Sequence, residues 1–289
     1  MKTICYHNEN TPLYANLYPS TCIETRAVML YFHGGGLLYG KRDDLPESHI
    51  KTFCAAGYAI LSFDYRLSPV TKLPGILSDV NKAIHFYINN ATAIFGKQLP
   101  YFLWGRSAGA YLCLIAAKNV YPQKPQGILS YYGYTFLDDL WYDRPSSYYN
   151  TFPIIDDLTS KMLTGNTEIT TASTEKRYAL YVYARQTGKW LTMVYDGSRK
   201  DLLLHYSFRT TYGLKDYPPL FIAHSMHDPD VPFDESNGLK TLLHNTDFFV
   251  ATSPDHAFDS NPDRSDTRTL LTRTLSFMKK QLSLLSLVA

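Results

Sequence analysis

The sequence predicts an α/β protein, a mostly parallel eight-stranded sheet with helices on both faces and an inserted cap, and three observations predict it. Six short apolar runs at 26–32, 58–65, 101–104, 127–132, 220–225 and 247–252 show continuous rather than alternating hydrophobicity, the pattern of strands buried on both faces. Segments of helical period at 45–55, 76–88, 108–119, 233–243 and 265–282 lie between or after them. Strand and helix therefore alternate, which is how parallel strands joined by crossover helices read in one dimension.

Two further strands, 3–7 and 13–18, are short, more alternating in character and separated by the turn-forming stretch 8–12, so they are expected to pair antiparallel at one edge. The stretch 134–217 breaks the rhythm. It has no strand and helix alternation and carries 11 of the chain's 24 tyrosines. An irregular segment of that length is uncommon in a compact domain unless it is functional. It is expected to be a cap, with 1–133 and 218–289 forming the core that carries it.

A chain of 289 residues, 45% hydrophobic and 19% charged, builds a full core without help. Lysine and arginine number 28 against 26 acidic residues, a net charge of +2 with no long block of one sign, which argues against a nucleic-acid partner. Cys5, Cys22, Cys54 and Cys113 show no C-x-x-C spacing and read as thiols of a reducing compartment. Residues 1–10 lack the apolar core of a secretory signal, and no apolar run approaches the roughly 18 residues of a membrane helix. The expectation is a cytoplasmic protein without a membrane span.

The chemistry begins at Gly105-Arg106-Ser107-Ala108-Gly109, a G-x-S-x-G pattern between an apolar strand and a helix. A serine on such a sharp turn projects its hydroxyl away from the sheet, and the flanking glycines let strand and helix approach each other. The helix then turns its unpaired N–H groups toward the reaction. Arg106, at the variable position, reads as a solvated or structurally paired arginine before it reads as a substrate ligand.

His33-Gly34-Gly35-Gly36 follows directly on the strand 26–32. Glycines there bring bare backbone N–H groups to a substrate oxygen and, with the N–H of Ala108, they form a candidate oxyanion hole. A phosphate cradle is disfavoured, because neither G-K-[ST] nor G-x-G-x-x-G is present. His33 is read as an anchor of the loop.

Of nine histidines, His256 stands in the loop after the apolar run 247–252 and before the last helix, the carboxyl end of a strand, where open α/β sheets collect functional groups. It is the candidate general base. The acid that orients it is sought after the strand 220–225, where Asp228, Asp230 and Asp234 compete. Asp228 is preferred because it comes first after the strand, with Val231 and Pro232 leading into the next helix.

With these residues in place the chain resembles the α/β-hydrolase superfamily, and in particular the hormone-sensitive-lipase-like esterases and carboxylesterases. The likeness is carried by His33-Gly34-Gly35-Gly36, by Asp64-Tyr65-Arg66-Leu67-Ser68-Pro69 and by the serine turn, followed in order by the Asp228 and His256 segments. It implies that Gly35, Gly36 and Ala108 supply the oxyanion donors and that residues 64–69 support the site without acting in it. The chain departs from the resemblance at Arg106, where an acidic residue is usual, at Ala110, where glycine is usual, and in an N-terminus too short to build part of a cap.

The expected activity is hydrolysis of small or medium-sized carboxylic esters through an acyl-enzyme on Ser107, with His256 as base, Asp228 as its orienting acid, and no metal or organic cofactor. A peptidase or amidase with the same triad is the alternative within enzymes, and a non-catalytic binding protein on the same scaffold the alternative outside them. Trp141, Tyr142, Tyr148 and Tyr149 either line an aromatic pocket for the substrate or form the insertion's own small core. Exposed aromatics of the insertion are also the candidate contact for a homodimer.

Overall fold

The computed structural model describes residues 1–210, 214–285 and 287. Its sheet is built from β1 (Lys2–His7), β2 (Leu13–Tyr18), β3 (Ala27–Phe32), β4 (Tyr58–Phe63), β5 (Tyr101–Arg106), β6 (Ile128–Tyr131), β7 (Leu220–Ser225) and β8 (Thr246–Ala251). Helices of the core are α1 (Glu47–Ala55), α2 (Leu73–Phe95), α3 (Ala108–Ala116), α8 (Phe233–Leu242) and α9 (Ser265–Leu285). Between β6 and β7 run α4 (Asp157–Thr164), α5 (Thr174–Thr187), α6 (Trp190–Val194) and α7 (Arg199–His205).

The eight strands form one sheet in the order β1-β2-β4-β3-β5-β6-β7-β8. β1 and β2 pair antiparallel, β2 joins β4 antiparallel, and every pairing from β4 to β8 is parallel. The antiparallel edge is where the two short N-terminal runs are expected. All six residues of β3, β4, β5 and β7 are buried, which is why these segments read as continuous apolar runs.

Alternation along β3 divides the core in two. Val28, Leu30 and Phe32 pack with Ile84 of α2 and Leu112 of α3 on one face, while Ala27, Met29 and Tyr31 pack with Phe53 of α1 and Leu270 of α9 on the other. Helix α2 is longer than its apolar period, 76–88, predicts. Proline stands in its first turn, where a missing N–H costs nothing, and the helix runs on to Gly96, whose φ of 75° ends it.

This order positions the site. The chain leaves β3 toward β4 on one side and returns for β5 on the other, so strand order reverses between β3 and β5, where a crevice opens at the strands' carboxyl ends. The loop 33–36 leaves β3 there and Ser107 leaves β5. Asp228 and His256 follow β7 and β8 along the same edge.

Within 134–217, residues 211–213 lie outside the described residues. The rest forms helices and irregular chain, tied to the core loop by one isolated antiparallel bridge between Ala172 and Gly40. Buried Glu235 of α8 anchors its start. One carboxylate oxygen accepts the N–H groups of Thr135 (2.7 Å) and Phe136 (3.0 Å), and the other accepts the indole N–H of Trp141 (2.9 Å). Among the described residues no helix is long and apolar enough to cross a membrane.

Candidate active site

Ser107 sits between β5 and α3 with φ 53° and ψ −120°, a region that residues with a side chain rarely occupy. Two glycines make the turn possible. A Cβ on Gly105 would lie 2.1 Å from the carbonyl carbon of Gly109, and one on Gly109 would lie 2.0 Å from the carbonyl oxygen of Phe32. Strand and helix therefore pack backbone to backbone, and the serine is held by its own N–H, which donates to the Tyr131 carbonyl at 2.8 Å.

His256 and Asp228 meet this serine. His256 Nε2 stands 2.8 Å from Ser107 Oγ, and Nδ1 stands 2.6 Å from Asp228 Oδ2. An ionised carboxylate only accepts, so Nδ1 carries the proton and Nε2 is free to accept the serine's. The Asp228 carboxylate is fully buried and receives four donors. Oδ2 also takes the Nε2–H of His224 at 3.1 Å, and Oδ1 takes the backbone N–H groups of Asp230 (2.8 Å) and Val231 (3.0 Å). Burial alone raises a carboxyl's pKa, but the two imidazoles override it and hold Asp228 well below the usual carboxylate range.

His224 is a second buried imidazole that the sequence reading leaves unassigned. Its Nε2 faces two acceptors, Asp228 Oδ2 and the Val231 carbonyl (3.1 Å), which fixes the proton on that nitrogen, while Nδ1 accepts the Ser236 hydroxyl at 2.7 Å. Burial pushes the pKa of His256 down, yet the charges of Asp228 and Asp230 outweigh burial and the opposing Arg106, and the net shift is upward.

The rival carboxylates separate in space. Asp230 does not orient His256 through Nδ1; it lines the cavity, with Oδ2 4.0 Å from His256 Nε2 and both oxygens 2.9 Å from the Tyr181 hydroxyl of α5. Asp234 lies in the first turn of α8.

Arg106 is paired. Its guanidinium donates to both oxygens of Asp259, Nε at 3.0 Å and Nη2 at 2.7 Å, and Nε also donates to Tyr132 Oη at 2.6 Å. Asp259, three residues after His256, also meets buried His49 Nε2 at 3.0 Å. The residue before the serine is thus tied to the loop that carries the histidine. Asp266, in the first turn of α9, accepts the N–H groups of Thr252 and Ser253 and fixes the start of that loop.

The loop after β3 lies beside the serine. Gly35 and Gly36 have φ of 104° and 58°, and a Cβ on Gly36 would stand 2.2 Å from the ring of Tyr181. Among the described residues, no acceptor pairs with the N–H groups of Gly35, Gly36 or Ala108. The Gly36 carbonyl accepts the Trp190 indole N–H at 2.8 Å, so α6 helps hold the loop in place. His33 is buried against Tyr65, whose hydroxyl donates to the His33 carbonyl at 2.8 Å, and burial pushes its imidazole down to about 4. That agrees with a loop anchor.

A cavity of about 320 Å³ opens onto Ser107 and His256, and Thr174 and Tyr181 of α5 form part of its wall. None of the four aromatics singled out in the insertion lines it. Tyr142 is packed against Trp141 and Trp190, and Tyr149 against Phe152 and Tyr181, in the same apolar cluster as Val28 of β3 and Leu112 of α3, while Tyr148 is 40% exposed, so they form neither a substrate pocket nor a separate core. The aromatic side chains that do line the cavity are Tyr31, Tyr39, Tyr132 and Tyr181. No sequence pattern marks them, because they come from four separate elements.

Comparison with known proteins gives the family of the chain. The model of the BD-FAE family matches residues 17–243, more than three quarters of the chain. The chain belongs to the BD-FAE family. The matched segment of this BD-FAE member carries the loop 33–36, Ser107 and Asp228, and it ends before His256. A protein of unknown function from Staphylococcus aureus subsp. aureus Mu50 is 28% identical, with a TM-score of 0.85 over 98% of this chain and 100% of that one. An α/β-hydrolase superfamily protein from Enterococcus faecalis is 27% identical, with a TM-score of 0.79 over 93% and 96% of the two chains. Lipase 2 of Moraxella sp. (strain TA144) is 33% identical over 119 residues, 41% of this chain. The BD-FAE chain spans 24% of that lipase, and less of the other first curated relatives it matches. The α/β-hydrolase fold and superfamily expected from the motifs are those observed.

Proposed function

We propose that this BD-FAE member is a carboxylic ester hydrolase working through an acyl-enzyme on Ser107, with the segment 134–217 as a cap over the site. The observation that carries the proposal is the unbroken hydrogen-bond chain Ser107 Oγ–His256–Asp228, open to a cavity beside three unpaired backbone N–H groups. In the first step the Ser107 proton passes to His256 Nε2 while Oγ bonds the acyl carbon. Electrons of the carbonyl bond move onto its oxygen, which the N–H groups of Gly35, Gly36 and Ala108 receive. Collapse expels the alcohol, which takes the proton from Nε2. Water then repeats the sequence on the acyl-enzyme and releases the acid.

The cavity wall favours short acyl groups, since among the described residues none of its side chains is leucine, isoleucine, valine or methionine. A panel of p-nitrophenyl esters tests the activity and this preference together. Acetate and propionate are expected to turn over faster than octanoate; no turnover of any member, or a maximum at octanoate, contradicts the proposal.

The pH profile follows from His256. Only the neutral imidazole accepts the serine proton, so kcat/KM rises with pH through the His256 pKa. That pKa is shifted upward from 6.5 by Asp228 and Asp230 against burial, so the acid limb is expected to have its midpoint above 6.5. A midpoint below it, measured with a neutral ester whose own ionisation does not change, contradicts the assignment.

A further inference from the structure

Ligand pockets are mostly apolar with a few placed polar groups, and the cavity over Ser107 departs from that pattern. Among the described residues its wall is made of glycine, alanine, serine, threonine, tyrosine, aspartate, arginine and histidine, without one larger aliphatic side chain. The charges in it are uneven. Asp44 and Asp230 both face the cavity. Arg106 is the one guanidinium among the lining residues, and both oxygens of Asp259 already hold it. Arg185 lies 3.4 Å from Asp230 Oδ1 and does not line the cavity, whereas Oδ2 is the oxygen within 4.0 Å of His256 Nε2.

That position has a chemical meaning. In acyl transfer Nε2 delivers a proton to the leaving heteroatom, so the alcohol part of the substrate must come within hydrogen-bonding distance of Nε2. Substituents of that alcohol then lie beside Asp230, with Tyr39 and Tyr181 in the same wall. A carboxylate and tyrosine rings together compensate the desolvation of a cation better than that of a neutral group. Resting on the reading of Ser107 as nucleophile, we propose that the site selects short-chain esters whose alcohol part carries a protonated amine, with Asp230 as the residue that recognises it.

The test compares two esters of equal shape, 2-(dimethylamino)ethyl acetate, cationic at neutral pH, and 3-methylbutyl acetate, uncharged. The wild-type chain is expected to prefer the cationic ester by about tenfold in kcat/KM, and Asp230→Asn to bring the ratio close to one. Any general effect of the substitution on His256 acts on both esters and cancels in the ratio. Labelling of Ser107 by a fluorophosphonate separates the two levels of the reading. A chain that labels but shows no cationic preference, keeps its preference as Asp230→Asn, or turns over neither ester overturns the selectivity while leaving the nucleophile in place. A chain whose Ser107 does not label overturns the underlying activity and the selectivity with it.

Discussion

Replacing Ser107 with alanine is expected to lower ester turnover by about 10⁶-fold, the loss seen when a serine enzyme is deprived of its nucleophile and retains only binding and oxyanion stabilisation. The size of the effect comes from the turn that holds the residue. Its φ of 53° and the backbone contact between Gly105 and Gly109 fix Oγ 2.8 Å from His256 Nε2, and among the described residues no other hydroxyl is hydrogen-bonded to that nitrogen. Alanine fits the same backbone, so the variant should fold as the parent does. Turnover of p-nitrophenyl acetate, with circular dichroism as the control for folding, checks this; a loss under tenfold contradicts the assignment.

Asp228→Asn should cost about 10⁴-fold, because an amide presents a donor where His256 Nδ1 requires an acceptor. The imidazole then carries its proton on Nε2, facing the serine it should deprotonate. The arrangement makes the substitution more disruptive still. Asp228 Oδ2 also receives the Nε2–H of His224, so an asparagine NH₂ that donates to the deprotonated His256 Nδ1 sets donor against donor at His224. Because serine and aspartate act as one unit, the double variant Ser107→Ala/Asp228→Asn is expected to be no slower than Ser107→Ala alone. Additive losses in kcat/KM contradict a shared mechanism.

What the sequence discloses follows the range of the interaction that sets it. Strands buried on both faces are mostly apolar on both, so β3, β4, β5 and β7 are legible as continuous runs, and the buried polar residues among them, such as Arg106 and His224, are hydrogen-bonded. The serine turn is legible because only glycine tolerates the approach at positions 105 and 109. Helix α5 is not legible in the sequence. Its buried residues include Arg177, Arg185 and Gln186, and polar side chains that bury themselves by hydrogen bonding erase the apolar period a helix otherwise shows.

The site divides in the same way. Motif order brings Ser107, Asp228 and His256 forward as candidates, but the choice between Asp228 and Asp230 depends on how one loop folds. The N–H groups of residues 230 and 231 close onto Asp228, which turns the Asp230 side chain to the cavity. His224 lies four residues before Asp228, at a spacing that marks it only after the loop is seen to curl back over the strand end. Tyr132, Tyr181 and Asp259 reach the site from segments far apart in the chain, and Arg106 finds its partner 153 positions away.

The most direct measurement is the mass of the peptide that contains Ser107 after the folded chain is treated with a fluorophosphonate. An adduct on Ser107 that forms in the parent, is absent in Ser107→Ala and slows sharply in His256→Ala is the predicted result. An unmodified Ser107 in active protein, or an adduct on a different serine, would contradict it.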